Sequence, residues 1–486
     1  MRPARSIVLT LAMAGLAAVA FAQAAAPAAT RLLTKDTFYQ MESIQNPRIS
    51  PDGTQVVFAR GYVDTMKDQQ ASNLWIVDVK GERLRQLTDG PWRDTAPVWA
   101  PDGKRLAFLS NRSGATQAHV LWLDTRETAQ LTRVERDPSG LGSPDGGHIA
   151  FTMTFPDDTP ILPVKLPPSP KGAQLAKGAT LVDRLSWGAD GVGQTAREWR
   201  HVFVVDAATG GVARQVTSGS YNHGSPEWSA DGRTIYVSGI RKPDAEYLRG
   251  DTEIYAVDLA TLDVRALTDR DGPDGNPLVS PDGRWIAYTG FDQRNFTSHL
   301  ASLYLMEAGG GGKRMLAGRL PSSPRVVGWA SDGVGVYYSM EERGEDNLYF
   351  VAMTAGTAPR KVTSGAHVLQ GVSIATGGQA AAVRSSVKEP GVLVTFNVAR
   401  PGDSRVLVDL NRDVLGDLAL GEAEELWFTA PDGLKVQGWL MKPANFDPSK
   451  KYPMVLWIHV GPRSMYSAGG DWAWQNFGAN GYRDAP

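Results

Sequence analysis

Residues 50–53 of the chain read SPDG, and residues 56–58 shortly after them read VVF. Proline fixes φ at the entry to a turn, aspartate hydrogen-bonds its own backbone, and glycine takes the positive φ that a tight hairpin requires. A short apolar run bounded by such a turn is typical of a buried strand. This stretch therefore predicts two strands joined by a tight turn.

The same turn and strand recur along the chain at a regular spacing. Further copies of the turn are residues 100–103 (APDG), 143–146 (SPDG), 229–232 (SADG), 280–283 (SPDG) and 331–333 (SDG), with a degenerate copy at 376–378 (TGG). The spacing is about 43 to 51 residues, except between Asp145 and Asp231, where it nearly doubles. Between the turns, one strand ends in Val-Asp or a similar pair and the next ends in Leu-Thr, as at Leu87-Thr88.

A repeat of this length with four short strands per copy is typical of propeller blades. The sequence therefore predicts a mainly β fold, with a seven-bladed β-propeller over residues 34–420. The doubled interval holds a Pro-rich insertion, residues 155–199. We expect no ladder strands in its stretch 155–178, because proline donates no hydrogen bond. A loop of this length in a compact fold is more often functional than accidental, and we expect it to reach over the propeller mouth or a substrate.

The aspartates of the repeated turns have two interpretations. They could bind a metal, but each occupies the same turn position once per blade, which favours a structural role. The 486 residues contain no cysteine, which excludes disulfides, thiolate metal sites and cysteine nucleophiles. The sequence predicts neither a metal nor a cofactor.

Charge and the N-terminal residues indicate an exported protein. The chain has 50 basic and 52 acidic residues, and a net charge of −2 provides no basic field for nucleic acid or an anionic membrane surface. Residues 1–22 read as a signal peptide, with a basic start, a short apolar run and the small residues that precede cleavage before Gln23. An uncleaved anchor is the alternative, although the run is shorter than the roughly 20 residues that span a bilayer. After an Ala/Pro-rich tether, residues 23–33, we expect a periplasmic or secreted protein without membrane attachment.

From residue 421 the repeat gives way to a different pattern. Residues 425–443 read as a hairpin of two longer strands. Residues 454–459 (MVLWIH) read as an unbroken apolar strand of the kind buried in a mixed α/β sheet. Residues 472–480 read as a short helix. Residues 421–486 therefore predict the start of a second domain that differs from the propeller.

These blocks resemble the prolyl oligopeptidase family of serine peptidases, and most of all its bacterial dipeptidyl aminopeptidase/acylaminoacyl peptidase branch. The specific stretches are TAPDGLKVQGWLMKP (429–443), KYPMVLWIHVGP (451–462) and WAWQNFGANGY (472–482). The propeller repeats are less specific, because many propellers share them. The resemblance implies that residues 421–486 begin an α/β-hydrolase catalytic domain. It also implies peptide hydrolysis by a Ser-His-Asp triad, with the propeller limiting entry to short or unfolded peptides.

The residues that carry this chemistry in the family are not found in this sequence. The family's nucleophile stands in a G-x-S-x-G turn, followed later by Asp and then His. No G-x-S-x-G occurs in the 486 residues, and the nearest match, residues 371–375 (GVSIA), lacks the second glycine. We therefore expect a chain truncated before the triad and inactive alone. About 65 residues are too few to bury the core of such a domain, so we expect residues 421–486 to be marginally ordered. The tryptophans that we expect to be exposed are Trp427, Trp439, Trp457, Trp472 and Trp474.

Four residues are the remaining site candidates that the resemblance implies. In the family's HGGP motif a glycine amide helps to form the oxyanion hole; here Gly461 matches it, although valine replaces the first glycine and tolerates positive φ poorly. A plain strand-terminating loop is an equal alternative. The family's dipeptidyl members hold the substrate amine with acidic propeller residues, which points to Glu246, Glu341 and Glu342, and a solvated hairpin tip is the alternative for the last two. The seven histidines, for which we expect surface or turn positions, are His119, His148, His201, His223, His299, His367 and His459.

A second class of function stays open alongside the peptidase. The chain could be a non-catalytic periplasmic propeller that binds peptides or proteins, similar to the Tol-type propellers. Those propellers lack a C-terminal strand block, and the block at 425–443 argues against this alternative. In both interpretations the expected partners are peptides or oligopeptides.

Overall fold

The structure, a computed structural model, describes residues 31–142, 146–157, 170–173, 182–248, 250–294, 296, 298–456 and 458. The predicted signal peptide, Gly461, Trp457, Trp472 and Trp474 lie outside these residues. Within them, strands dominate, and the two helices are short: α1 (Lys35–Gln40) and α2 (Arg412–Leu415). The predicted mainly β fold is confirmed.

Most strands of the described chain belong to seven four-stranded antiparallel units, in which strands lie side by side in chain order. The first two units comprise β2 (Ser43–Ile49), β3 (Gln55–Asp64), β4 (Gln69–Asp78), β5 (Arg85–Gln86), β6 (Asp94–Trp99), β7 (Arg105–Ser110), β8 (Gln117–Trp122) and β9 (Thr128–Gln130). Unit three comprises β10 (Ser139–Gly142), β11 (His148–Pro156), β14 (Glu198–Asp206) and β15 (Arg214–Gln215), and a small hairpin of β12 (Gly188–Ala189) and β13 (Gly193–Gln194) interrupts it.

The remaining units follow the same order. They comprise β16 (His223–Trp228), β17 (Thr234–Gly239), β18 (Glu253–Asp258), β19 (Val264–Ala266), β20 (Asp274–Val279), β21 (Trp285–Gly290), β22 (Ser302–Glu307), β23 (Arg314–Ala317), β24 (Arg325–Trp329), β25 (Gly335–Glu342), β26 (Glu345–Ala352), β27 (Arg360–Lys361), β28 (Val368–Ile374), β29 (Gln379–Ser386), β30 (Glu389–Asn397) and β31 (Arg400–Val408). A single parallel pair, Asp346 with Val368, joins units six and seven into one eight-stranded sheet.

The segments that flank the seven units contact each other. Strand β1 (Arg31–Leu32) pairs in parallel with β32 (Leu418–Ala419), so the end of the predicted tether 23–33 is anchored to the propeller. Beyond them, β33 (Glu422–Thr429) and β34 (Lys435–Lys442) form the predicted two-stranded hairpin.

The repeated Pro-Asp-Gly turns close by hydrogen bonds within the turn. In the first, the Gly53 amide donates to the Ser50 carbonyl at 2.9 Å, and Gly53 has a φ of 73°. The Asp52 carboxylate accepts from the Ser50 hydroxyl at 2.5 Å and from the Thr54 amide at 3.1 Å. The hydroxyl bond contributes most to lowering the pKa of Asp52. The aspartate is thus a structural turn residue, as predicted.

The Leu-Thr pairs hold the outer strand of a unit to its third strand. In five units the threonine Oγ1 accepts a backbone N–H at 2.8 to 2.9 Å, from Leu74, Ala118, Val202, Ile254 and Leu348. In unit two, the buried Thr132 hydroxyl also donates to the Gln117 side chain at 2.8 Å. The preceding apolar residue, such as Leu131, packs into the core between units. The repeat therefore keeps both a buried anchor and a backbone bond in five of the seven units of the described chain.

Every innermost strand carries a β-bulge, which the sequence reasoning missed. The pairing register shifts in the first strand of each unit, for example between Gln45 and Arg48 in β2. In four units the bulge residue has positive φ and precedes proline: Asn46, Ala96, Ser225 and Asn276. A bulge bends the strand and increases its twist. In these four units a proline three positions before the turn was the available signal.

The structure corrects two sequence predictions. Strand β11 extends to Pro156 and pairs with β14 from Glu198, so the insertion is shorter than the predicted 155–199. Pro156 is tolerated because it ends the strand. Residues 454–456 and 458 form no strand, and the side chains of Met454 and Val455 are 76% and 88% exposed, because the described chain supplies no partner strand there. The predicted helix 472–480 lies outside the described residues.

We expect the Thr132→Val substitution to destabilise the propeller by about 1–3 kcal/mol, because it leaves the buried Ala118 amide without its acceptor. Urea unfolding monitored by tryptophan fluorescence measures this. The control is Thr128→Val on the exposed outer strand β9, for which we expect a change within about 0.5 kcal/mol. Equal effects of the two substitutions would show that the Thr132 hydroxyl has no special role.

Candidate functional site

The strand directions give the propeller two distinct ends. Each innermost strand runs toward its Pro-Asp-Gly-type turn, so these turns lie together at one end. The connections between second and third strands lie at the other end, which we call the loop face. The largest of these connections are residues 157–197, 240–252 and 291–301. The chain also leaves unit seven at this face, after Val408, and continues to the hairpin β33–β34.

A cavity of about 690 Å³ opens on the loop face between units three and four. Its side walls come from β14 and from the connection 240–252, and residues 182–197 of the insertion form part of its lining. The lining combines apolar surface with charged and polar side chains; among the latter are Arg184, Arg197, Glu198, Arg200, Tyr221 and Glu246. The insertion therefore borders a cavity on the loop face, next to a predicted site residue.

Glu246 is the candidate that the fold brings into this cavity. It lies in the connection between β17 and β18, and its Oε1 accepts the backbone N–H of Ser186 at 2.8 Å. This bond joins the insertion to unit four. Nearby, the Arg184 guanidinium donates to the carbonyls of Thr195 and Ala196 at 2.5 and 2.8 Å, which fixes the insertion's own conformation.

Glu341 and Glu342 end β25 on a different part of the loop face. They precede the turn at Arg343 and Gly344, whose φ values of 52° and 78° match the type I′ hairpin. Glu341 lines a second cavity of about 690 Å³ and pairs with Arg325 at 3.1 Å. Glu342 accepts the hydroxyl of Tyr349 at 2.9 Å.

Both glutamates are half-buried and have partners in the described chain, and they lie beside the hairpin turn that the alternative interpretation named. Burial and the bond to the Glu342 carboxylate raise the pKa of Tyr349. Arg325 also pairs with buried Asp346, which fixes the position of the guanidinium between two acidic side chains. The structure thus separates Glu341 and Glu342 from Glu246, since they share no cavity lining in the described chain.

The opening hairpin of the predicted second domain lies against unit six. The Gln437 side-chain amide donates to the Arg343 carbonyl at 3.0 Å. Both faces of this hairpin carry an exposed aromatic side chain, since the neighbouring residues Trp427 and Phe428 point to opposite faces and are 50% and 57% exposed. The expected exposure of Trp427 is confirmed, and Trp439 is half-buried. Gly461, the predicted oxyanion-hole residue, lies outside the described residues.

A basic and imidazole cluster beside the first cavity was missed by sequence reasoning. His201 and His223 are buried, with ring centroids 5.6 Å apart, and His119 is buried in unit two, so the expected surface positions are wrong for these three. The Arg241 guanidinium lies 2.7 Å from His223 Nε2. Burial, then the charge of Arg241, lowers the pKa of His223 to about 4.

Comparisons with known proteins agree with this architecture. The TolB β-propeller domain model PD40 matches residues 30–179. The chain is 26% identical over 466 residues to dipeptidyl-peptidase 5 of Porphyromonas gingivalis, covering 91% of this chain and 65% of the relative. It is 27% identical over 471 residues to the uncharacterized peptidase YuxL of Bacillus subtilis, covering 93% and 70%. The homologues of this chain are peptidases of the prolyl oligopeptidase family.

Solved structures show the fold of that family. An acylaminoacyl peptidase, solved in complex with Z-Gly-Gly-Phe-chloromethyl ketone, superimposes with a TM-score of 0.70 at 18% identity over 92% of this chain and 65% of its own. The β-propeller domain of the Trilobed protease from Pyrococcus furiosus gives 0.53 at 15% identity over 77% and 97%. The chain spans about two thirds of the length of the curated relatives it matches.

We expect acid to destabilise the propeller through His223. Its pKa is about 4 in the fold against 6.5 for an unperturbed histidine, so between these values the unfolded chain binds a proton that the folded chain does not. Stability is therefore lost as the pH falls from 6.5 toward 4. The His223→Gln variant keeps an acceptor for Arg241. Between pH 7 and pH 4.5 its free energy of unfolding should fall by about 2–3 kcal/mol less than that of the parent chain.

Urea unfolding at the two pH values measures the difference. The control is His148→Gln, at an exposed position of unit three, which should lose as much stability in acid as the parent chain. If His223→Gln loses as much as His148→Gln, the His223 imidazole does not determine the acid sensitivity.

Proposed function

We propose that this chain forms the propeller and the opening of the catalytic domain of an exported serine-type peptidase. Its substrates would be short peptides, cleaved in the dipeptidyl or acylaminoacyl manner. The observation that carries the proposal is the arrangement of the loop face. The insertion, the cavity with Glu246 and the exit of the chain toward β33–β34 all lie at this one end of the propeller.

The cavity has the chemistry that a short peptide requires. A peptide presents a free amine, carbonyl oxygens and amide hydrogens, which need acidic, donor and acceptor groups respectively. The lining supplies a carboxylate in Glu246, a guanidinium in Arg200 and a hydroxyl in Tyr221. We propose that Glu246 contacts the substrate amine, because its carboxylate is the one predicted acidic contact in this cavity.

The exposed apolar side chains of the hairpin support the second half of the proposal. Leu426 and Phe428 on one face of β33 and Trp427 on the other are each 45–57% exposed, although strands of an α/β-hydrolase sheet are normally buried. We propose that further parts of the catalytic domain cover both faces in the active peptidase. The 486 residues themselves, which contain no G-x-S-x-G, are then inactive alone.

Export is the remaining part of the proposal. It rests on the basic start, the apolar run and the small residues of 1–22. Within the part of the chain that the structure describes, no helix is long and apolar enough to cross a bilayer.

We expect the 486-residue chain to give no turnover of dipeptidyl or N-acetylaminoacyl p-nitroanilides and no labelling by a fluorophosphonate, because it lacks the nucleophile. A chain extended by the DNA that follows the codon for Pro486, if it encodes G-x-S-x-G and later Asp and His, should do both. Labelling of the 486-residue chain itself would contradict the proposed inactivity. An extended chain that contains all three residues and remains unlabelled would contradict the peptidase.

We expect the Glu246→Gln substitution to weaken binding of a short peptide with a free N-terminus about tenfold, because a charge-assisted contact to the amine is lost. Calorimetric titration of the 486-residue chain measures this, and the N-acetylated form of the peptide should lose little affinity. The matched control is Glu342→Gln, whose carboxylate binds Tyr349 and lies outside the cavity. Equal effects of the two substitutions on the free-amine peptide would count against Glu246 as the amine contact.

A further inference from the structure

The cavity between units three and four contains an arginine that forms no ion pair with a described residue, although Glu198 and Glu246 line the same cavity. Of the arginines that line it, Arg197 pairs with Asp157 at 3.1 Å and with Asp183 at 3.5 Å. Arg184 is occupied by the insertion's carbonyls. Arg200 is exposed, and among the described residues no carboxylate lies within ion-pair distance of it.

The backbone fixes the direction of the Arg200 side chain. Its Nε donates to the His223 carbonyl at 3.0 Å, which uses one of the five donors of the guanidinium. The guanidinium lies beside Gly224, where a Cβ would stand 3.0 Å from Nη2. A residue larger than glycine would therefore displace it. The remaining N–H donors of the planar guanidinium can form two parallel hydrogen bonds to the two oxygens of one carboxylate.

A second arginine without a carboxylate partner in the described chain, Arg241, contacts the same histidine, His223. The Arg241 guanidinium bonds to the Ser218 carbonyl at 3.2 Å and to His223 Nε2, and it lies over the Tyr221 ring. In the described chain it has no carboxylate partner either. The imidazoles of His201 and His223 cannot offset the two arginines, because an imidazole is either neutral or positively charged. Burial lowers the pKa of each ring, which favours its neutral form.

In unit two, the arginine that corresponds to Arg241 is paired with a carboxylate. Arg112 there corresponds to Arg241, since both stand two residues after the second strand, and each lies over an aromatic ring two residues before the first strand. The partner of Arg112 is buried Asp94 at 2.8 Å, at the strand position that His223 occupies in unit four. The replacement of a carboxylate by a neutral imidazole leaves the positive charge beside the cavity.

We propose that Arg200, with Arg241 behind it, forms a subsite for a carboxylate of the bound peptide. The carboxylate is either an acidic side chain or the peptide's own C-terminus. This inference rests on the proposed binding of peptides in the cavity and adds a preference to it. The subsite is positively charged and takes a carboxylate, whereas Glu246 is negatively charged and takes the amine. One peptide can therefore bind at both places through different groups.

The test is calorimetric titration of the 486-residue chain with four tetrapeptides. They contain Glu or Gln at the third residue, and each has a free or an amidated C-terminus. We expect removal of the relevant carboxylate to weaken binding about tenfold. The Glu/Gln comparison identifies an acidic side chain, and the free/amidated comparison identifies the C-terminus.

The Arg200→Gln variant should abolish this tenfold preference, because it weakens binding of the peptides that carry a carboxylate more than binding of the amidated Gln peptide, which carries none. The matched control is Arg233→Gln, which removes the same charge from an exposed turn at the opposite end of the propeller. It should retain the preference. In His223→Asp, which restores the unit-two arrangement, we expect the preference to fall even though Arg200 is intact. Thermal melting confirms that each variant is folded.

Three results would overturn the inference. They are equal affinity of the parent chain for all four peptides, an equal loss of affinity for charged and uncharged peptides in Arg200→Gln, or the same loss of preference in Arg233→Gln. In each of these three results the peptides still bind to the chain, so the proposed function is not contradicted. Absence of binding by any of the four peptides would instead count against the proposed function together with the subsite.

Discussion

The contact between the first and last units is the constraint on which the propeller depends. Each four-stranded unit has two apolar faces, and an inner unit buries both against its neighbours. The first and seventh units can bury their outer faces only against each other. Their shared cluster includes Ile44 and Phe58 from unit one and Ala381 and Leu393 from unit seven. Fully burying side chains of this kind contributes about 1.5–3 kcal/mol each, so the closure is a large part of the stability.

In the described chain this closure is made by side chains rather than by an exchanged strand. The strands of unit one all come from residues 43–86, and those of unit seven from 368–408. Additional bonds form just outside the last unit, where the Asn411 side chain accepts the Glu42 amide and donates to the Glu42 carbonyl, both at 2.8 Å. This anchor brings the N-terminal segment and the exit toward β33–β34 together on the loop face. Closure of the ring and placement of the hairpin β33–β34 are therefore coupled through this anchor.

The sequence predicted the parts of the fold that depend on local chemistry. The Pro-Asp-Gly turns and Leu-Thr pairs specify their own hydrogen bonds, so their repeat gave the strand order and the limits of the propeller. The bulges were missed because a residue-plus-proline pair also suits an ordinary loop. The strand expected at 454–459 was wrong for its described residues, since apolar composition does not supply a partner strand.

The candidate site was less predictable because its contacts are distant in sequence. Glu246 was identified as acidic and near an aromatic residue, but its bond to Ser186 joins segments 60 residues apart. Arg200 and His223 carried no motif, and their environment depends on how unit three packs against unit four. The physical signal lies in the comparison of equivalent strand positions. Unit two begins its inner strand with Asp94 and unit five with Asp274, each paired to an arginine, whereas unit four begins with His223. Two of the seven innermost strands in the described chain begin with an aspartate, so units two and five supply this comparison. In unit four the imidazole of His223 contacts Arg241 where the carboxylate of Asp94 pairs with Arg112 in unit two, and the positive charge therefore stays beside the cavity.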